Sequence, residues 1–185
     1  ETVARRGGIA IVPQDIPTGV VAEVVASVKS RHTVVETAVV VSPTDTVHTA
    51  LTLIGKRSHG AAVVVDGAGR PVGVATEADC RDVDRFTQVA EVMSPDPTVV
   101  EADVVARTDG LESAFEQLHA TRRRFVPVVD DGVLVGVLTR TGALRSSLYT
   151  PALDARGRLR VGAAVGINGD VRANAAALLE AGVDV

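Results

Sequence analysis

Aromatic residues make up only 2% of the 185-residue chain, and tryptophan is missing altogether. A planar ligand held here would therefore rest against aliphatic side chains rather than between stacked rings. The single cysteine, Cys80, cannot form an internal disulfide, which fits a reducing compartment and a cytoplasmic location. No apolar run approaches the roughly 18 residues that a membrane span needs, and no signal peptide is read, so no membrane partner is expected. Positive charge is short too: the net charge is −4, and the one basic cluster, Arg122-Arg123-Arg124, cannot track a nucleic-acid backbone. His32, His48, His59 and His119 show no metal-ligand spacing, so no metal is expected and each reads as structural or exposed. There is no initiator methionine and Met93 is the only methionine, so the chain reads as a piece of a longer protein.

What the chain does have is valine, alanine and leucine, within an apolar content of 46%, and an internal repeat. Arg70-Pro-Val-Gly-Val-Ala-Thr-Glu-Ala-Asp79 is echoed by Val133-Leu-Val-Gly-Val-Leu-Thr-Arg-Thr-Gly142. Each follows a valine run closed by an aspartate, Asp66 or Asp130, at an offset of 64; Gly73 and Gly136 are offset by 63, so the second turn is one residue shorter. Two copies of strand, turn, strand, Gly-x-x-Thr and helix form a repeat unit, and repeats decide the architecture before local propensity does.

The flanks have another character. Gly7-Gly-Ile-Ala-Ile-Val12 reads as a buried strand of the parallel type. Residues 20–31 read as a helix with Val20, Val21, Val24, Val25 and Val28 on its apolar face. Val39–Val41 reads as a strand, with a helix beginning at Ser42-Pro-Thr-Asp45 and burying Val47, Ala50, Leu51 and Ile54. Ala61–Val65 and Pro71–Thr76 read as strands joined by Gly67-Ala-Gly69, followed by a helix from Glu77. Met93-Ser-Pro-Asp-Pro97 reads as a linker. The second copy repeats the order, with a strand at 98–100, a helix at 111–122 burying Leu111, Ala114, Phe115 and Leu118, and strands at 125–129 and 133–139. Asp131-Gly132 is the tight turn between them, and a helix follows over 141–148. Asp154-Ala-Arg-Gly-Arg158 is then a polar turn, 159–166 a strand, 171–181 a helix closed by Gly182, and 183–185 the start of another strand. A repeat pair between two α/β flanks reads as one domain inserted into a loop of another.

These residues carry a family resemblance. The strand–turn–strand–Gly-x-x-Thr-x-x-Asp units resemble a tandem of CBS motifs, a Bateman domain. The flanks resemble IMP dehydrogenase and GMP reductase: Arg6-Gly-Gly-Ile-Ala-Ile-Val12 is similar to the second strand of that family's barrel, Asp154 to Gly166 to the approach and third strand, and Glu180-Ala-Gly-Val-Asp184 to the approach to the fourth. Pro13-Gln-Asp-Ile-Pro17 stands where IMP dehydrogenases usually have His-x-Asn, and resembles an actinobacterial subgroup associated with GMP reduction. The resemblance implies an α/β architecture, a tandem CBS domain inserted into a partial (β/α)8 TIM barrel. Residues 1–34 would be barrel strand 2 and helix 2, 35–92 and 93–150 the two CBS repeats, and 151–185 strand 3, helix 3 and the start of strand 4. A complete barrel takes roughly 250 residues, so these flanks would supply only part of one.

The parent would be an NAD(P)-dependent purine-nucleotide oxidoreductase, leaning to GMP reductase, and a homo-oligomer (tetramer or octamer). The resemblance puts the nucleophilic cysteine beyond residue 185, so no catalytic residue is expected here, and Cys80 reads as a small buried side chain. Purine nucleotides, ATP or GTP, would bind the repeat pair as allosteric ligands. The family pattern gives the aspartate to the ribose hydroxyls and the threonine to the phosphates, roles that fall on Asp79, Thr76 and Thr139. Gly142 replaces the second aspartate, which impairs that site. Lys56, Arg57, Arg122, Arg123 and Arg124 are further candidates for phosphate contacts. Plainer readings stand beside these. Thr76-Glu-Ala-Asp79 is also a helix capping box, the arginines also a solvated helix end, and the pair as a whole also a structural and dimerisation element, or a stand-alone regulator.

Overall fold

The chain opens with a 3-10 turn at Ala4–Arg6, then β1 (Ile11–Val12) and α1 (Thr18–Lys29). The structure is a computed structural model and describes residues 1–56, 59–121 and 123–185. The first repeat comprises β2 (Val40–Val41), α2 (Val47–Ile54), β3 (Ala61–Val65), β4 (Pro71–Thr76) and β5 (Ser94–Pro95). The second comprises β6 (Val100–Glu101), α3 (Ala102–Val105), α4 (Thr108–Ala120), β7 (Phe125–Asp130), β8 (Val133–Thr139) and α5 (Arg140–Leu148). The tail adds β9 (Gly162–Ala163) and α6 (Val171–Glu180). Two compact units result: residues 1–34 with 145–185, and residues 35–144. The second boundary falls inside α5.

In the flanking unit β1 and β9 pair in parallel, Ile11 opposite Gly162. The expected strand at 159–166 is regular only over Gly162–Ala163. Residues 183–185 do not register as a strand, yet Asp184 N–H donates to Val161 O and Ala163 N–H to Val185 O, so a third extended segment lies beside β9. The core beneath is Val21, Val25, Val28, Leu159, Val161 and Leu178. α1 buries only part of its expected apolar face, since Val20 and Val24 are exposed. Lys29 is buried instead, its Nζ 2.9 Å from Asp154 Oδ2 and 2.6 Å from Asp184 Oδ2. Two carboxylates around one ammonium satisfy the buried charge. Asp154 also closes the polar turn, accepting from the N–H groups of Arg156 and Arg158. Those bonds, the Arg158 N–H first, lower its carboxyl pKa well below the usual carboxylate range.

In the repeat unit the sheets run β2-β3-β4-β5 and β6-β7-β8. Each hairpin carries a bulge at the same place: between Val64 and Val65 where Val64 faces Gly73, and between Val128 and Val129 where Val128 faces Gly136. Each glycine lets another segment approach closely. A Cβ on Gly73 would lie 2.5 Å from Met93 Sδ, and one on Gly136 would lie 2.6 Å from the backbone oxygen of Glu36. Those approaching segments are themselves paired to the hairpins. Ser94 sits opposite Val74, so residues 94–95 extend the first sheet rather than serving as a linker. Glu36 sits opposite Val137 and exchanges two backbone bonds of 2.8 Å with it. The hairpin turns differ: Asp66 Oδ1 accepts from Ala68 and Arg70 N–H in the first, while Asp131 and Gly132 both take positive φ in the second.

Three helix expectations need correction. α2 starts at Val47, because Thr46 is the residue whose side chain caps it, accepting from Thr49 N–H; Asp45 instead accepts from Ser42 N–H in the preceding turn. Leu51 is only half-buried in that helix. No helix forms from Glu77. Residues 77–83 make successive turns, and Asp82 at φ 60° ends them. Around α4, Ala114 and Leu118 are buried but Leu111 and Phe115 only half so, and α3 precedes it where the sequence suggested no helix.

Candidate functional site

A cleft of about 460 Å³ opens in the repeat unit where the two hairpins begin. Its walls include His59, Thr76, Arg81, Arg123, Arg124 and Phe125, with Glu77 as its one carboxylate. The hairpin starts, Ala61 of β3 and Phe125 of β7, set the floor. Valine-rich strands bury that floor from below: Ala61, Val63, Phe125 and Val137 form one core cluster. Three guanidiniums against one carboxylate make an anion-favouring mouth over an apolar base that includes the Phe125 ring, where the low aromatic content suggested only aliphatic side chains, and guanidinium forks suit phosphate oxygens.

Of the residues singled out in the sequence, this cleft gathers Thr76, Arg123 and Arg124. Asp79 is not among its walls. Its Oδ2 accepts from both the N–H (2.8 Å) and the hydroxyl (2.7 Å) of Thr76, and its own N–H donates to Thr76 Oγ1 at 3.2 Å. That reciprocal pattern is the capping-box geometry, drawn on a turn rather than on a helix. Oδ1 has no hydrogen-bond partner among the described residues and keeps its acceptor capacity. Thr139 also turns inward, accepting from Gly142 N–H at 2.8 Å and donating to Glu36 Oε1 at 3.2 Å. Lys56 is exposed just beyond α2 and does not line the cleft. Arg57 and Arg122 lie outside the described residues.

Sequence reasoning missed two members. Arg81 lines this cleft and a neighbouring pocket of about 370 Å³ with His48, Leu51, Cys80 and Arg85; its place two residues after Asp79 was the available signal. His59 is 7% exposed, tilted against the Phe125 ring at 6.4 Å. Its Nε2 lies 3.2 Å from Thr37 O, and a carbonyl can only accept, so Nε2 donates. That leaves Nδ1 without a hydrogen bond, 3.5 Å from Glu36 Oε2. Nothing in the sequence marked His59 apart from its neighbours. Cys80 is 3% exposed, and burial, then the charge of Asp79, raises its thiol pKa. A thiol held protonated is a poor nucleophile, so Cys80 serves packing. Among the described residues no group of His, Cys, Asp and Glu could hold a metal ion, and no helix is long and apolar enough to cross a membrane.

Paired hairpins around an anion-favouring cleft, with parallel-sheet flanks on either side in the chain, define an α/β protein. The family model of the IMP dehydrogenase / GMP reductase domain matches residues 1–185, and the chain belongs to that family. It is 52% identical over 186 residues to the GMP reductase of Mycobacterium tuberculosis (strain ATCC 25618 / H37Rv), covering 100% of this chain and 38% of that one. It is 35% identical over 187 residues to the inosine-5'-monophosphate dehydrogenase of Mycobacterium leprae, covering 99% of this chain and 35% of that one. A solved GMP reductase from Trypanosoma brucei in complex with guanosine 5'-triphosphate superposes with a TM-score of 0.67 at 28% identity, over 98% of this chain and 45% of that one. The α/β fold thus matches part of a GMP reductase, and the chain spans 38% of the length of the GMP reductases it matches.

Proposed function

We propose that the chain is part of a cytoplasmic, homo-oligomeric GMP reductase and that its repeat unit is a tandem CBS module that senses purine nucleotides. Two facts favour GMP reductase over IMP dehydrogenase: 52% identity to the one against 35% to the other, and Pro13-Gln-Asp-Ile-Pro17 after β1. The observation that carries the sensing role is the cleft, with Arg81, Arg123 and Arg124 at its mouth and Phe125 and Ala61 at its base. The arginines would pair with phosphate oxygens, the apolar base would carry the purine, and Asp79 Oδ1 would accept from the ribose hydroxyls. Binding there biases the oligomer, and through it the barrel, by a coupling free energy.

NAD(P) supplies the hydride in such an enzyme. In the flanking unit the buried charges Lys29, Asp154 and Asp184 are engaged with one another and are not available to hold it. No step of hydride transfer is therefore assigned to this chain.

Isothermal titration of the full-length protein with ATP and GTP is the direct experiment, and Asp79→Ala is expected to weaken binding by about 1.5–3 kcal/mol, the worth of hydrogen bonds to a charged group. Unchanged affinity removes Asp79 from the site. Activity with GMP plus NADPH, and none with IMP plus NAD, is the expected assay result, and the reverse pattern overturns the choice of enzyme. One observation favours a second reading, in which the pair only supports dimerisation: Asp79 Oδ2 is already tied to Thr76. Sedimentation separates the two, since a purely structural pair self-associates without nucleotide dependence. The stand-alone regulator is disfavoured by the family match along the whole chain.

A further inference from the structure

We infer that the turn at residues 4–7 is the relay by which nucleotide occupancy of the repeat unit reaches the flanking unit, with Arg5 as its positioning residue. This rests on the nucleotide-sensing reading above and extends it to how the signal leaves the module.

The chain passes between the two units twice, at residues 34–35 and 144–145, so a displacement has two covalent routes. Within the flanking unit both routes end on one short turn. On the entry side, Arg5 is 5% exposed and donates to His32 O through Nε at 3.1 Å and Nη2 at 2.9 Å. His32 in turn fixes a peptide further on, its Nδ1 accepting from Val34 N–H at 3.1 Å. On the exit side, Ala4 O accepts from Ala152 N–H at 2.8 Å. Gly7 stands in the left-handed region at φ 84°, and a Cβ there would lie 3.0 Å from Thr150 O. One turn thus holds residue 32 through a side chain and residues 150–152 through its backbone.

The turn is built to move as a piece. Arg5 N–H donates to Glu1 O, Gly7 N–H to Ala4 O and Gly8 N–H to Val3 O. A guanidinium fork closed on one carbonyl fixes the plane of that peptide as well as its distance, which a single point donor does not. Immediately beyond, Ala10 O accepts from Gly162 N–H at 2.9 Å, and β1 pairs with β9. A shift of either crossing is therefore handed through residues 4–10 to the β1–β9 pair. In the barrel proposed above, the loops that follow such strands carry the active site.

The test uses the full-length protein and reads two quantities apart. Isothermal titration without substrate gives the affinity for GTP and for ATP; the rate with GMP and NADPH, with and without each nucleotide, gives the response. Arg5→Met keeps a buried apolar stem and removes the fork. It is expected to keep both the nucleotide affinity and the nucleotide-free rate within about twofold, as for a site remote from either, while saturating nucleotide no longer changes the rate. Arg5→Lys, which keeps one donor for His32 O, is expected to restore part of the response. Gly7→Ala disturbs the turn from its exit side and is expected to blunt the response likewise. Should Arg5→Met lose its thermal transition, Arg5→Lys and Gly7→Ala are read in its place, each with a weaker response than the unmodified protein. A full response in the folded variants overturns the inference, and so does affinity that falls together with the response. Nucleotide bound by the unmodified protein without any change in rate overturns it too, and leaves the sensing site standing. No nucleotide bound at all overturns the sensing reading and this one with it.

Discussion

The two repeats agree in their hairpins and differ in the turns and elements that close them. Both hairpins bulge opposite a glycine, and both glycines admit a passing strand. Yet one hairpin closes through a loop braced by Asp66 and the other through Asp131-Gly132. One is followed by turns that end at Asp82, the other by α5, which buries Gly142 and Ala143. A closely packed segment favours glycine in both copies, with the Met93 side chain nearest Gly73 and the Glu36 backbone nearest Gly136. Caps, turns and carboxylates can be supplied from several positions, so they have drifted. The repeat is therefore defined by its contacts rather than by its motif residues.

Four substitutions sharpen this contrast. The largest effect is expected at Leu138, fully buried where the first copy has Ala75: Leu138→Ala should cost about 2–5 kcal/mol by leaving a cavity, read by urea denaturation. The shared glycines come next, and they should not be equal. Gly136→Ala meets the Glu36 backbone and should cost about 1–3 kcal/mol as overpacking. Gly73→Ala meets the Met93 side chain, which can move aside, and should cost less than Gly136→Ala in the same experiment. Equal costs would remove the distinction between a rigid and a yielding neighbour. Smallest is the helix start. α2 has Thr46 as a side-chain cap and α4 has none at Arg107, so Thr46→Ala should lose about 1 kcal/mol of stability, seen as a lower thermal midpoint.

The hairpins were legible because their signal is local: valine runs, a turn, and a glycine at fixed spacing put Ala61–Val65, Pro71–Thr76 and Val133–Thr139 where they lie. The start of α2 was harder. Ser42 and Thr46 are both capping residue types, and only the bond from Thr49 N–H to Thr46 separates them. Strand β5 was hidden because two prolines look like a linker, although Ser94-Pro95 sits at a sheet edge where a missing N–H is tolerated. In the cleft, Thr76, Arg123 and Arg124 were found from the motif and the basic cluster. His59 was not, because its place against Phe125 joins residues far apart in sequence. A motif reports what neighbours along the chain do, and His59 meets Phe125 only in the fold.

A crystal structure of the full-length protein with GTP tests the account most directly. The account requires a nucleotide in the repeat unit's cleft with its ribose hydroxyls on Asp79 Oδ1 and its phosphates toward Arg81, Arg123 and Arg124. An empty cleft at saturating GTP, or ribose density that does not touch Asp79, contradicts it.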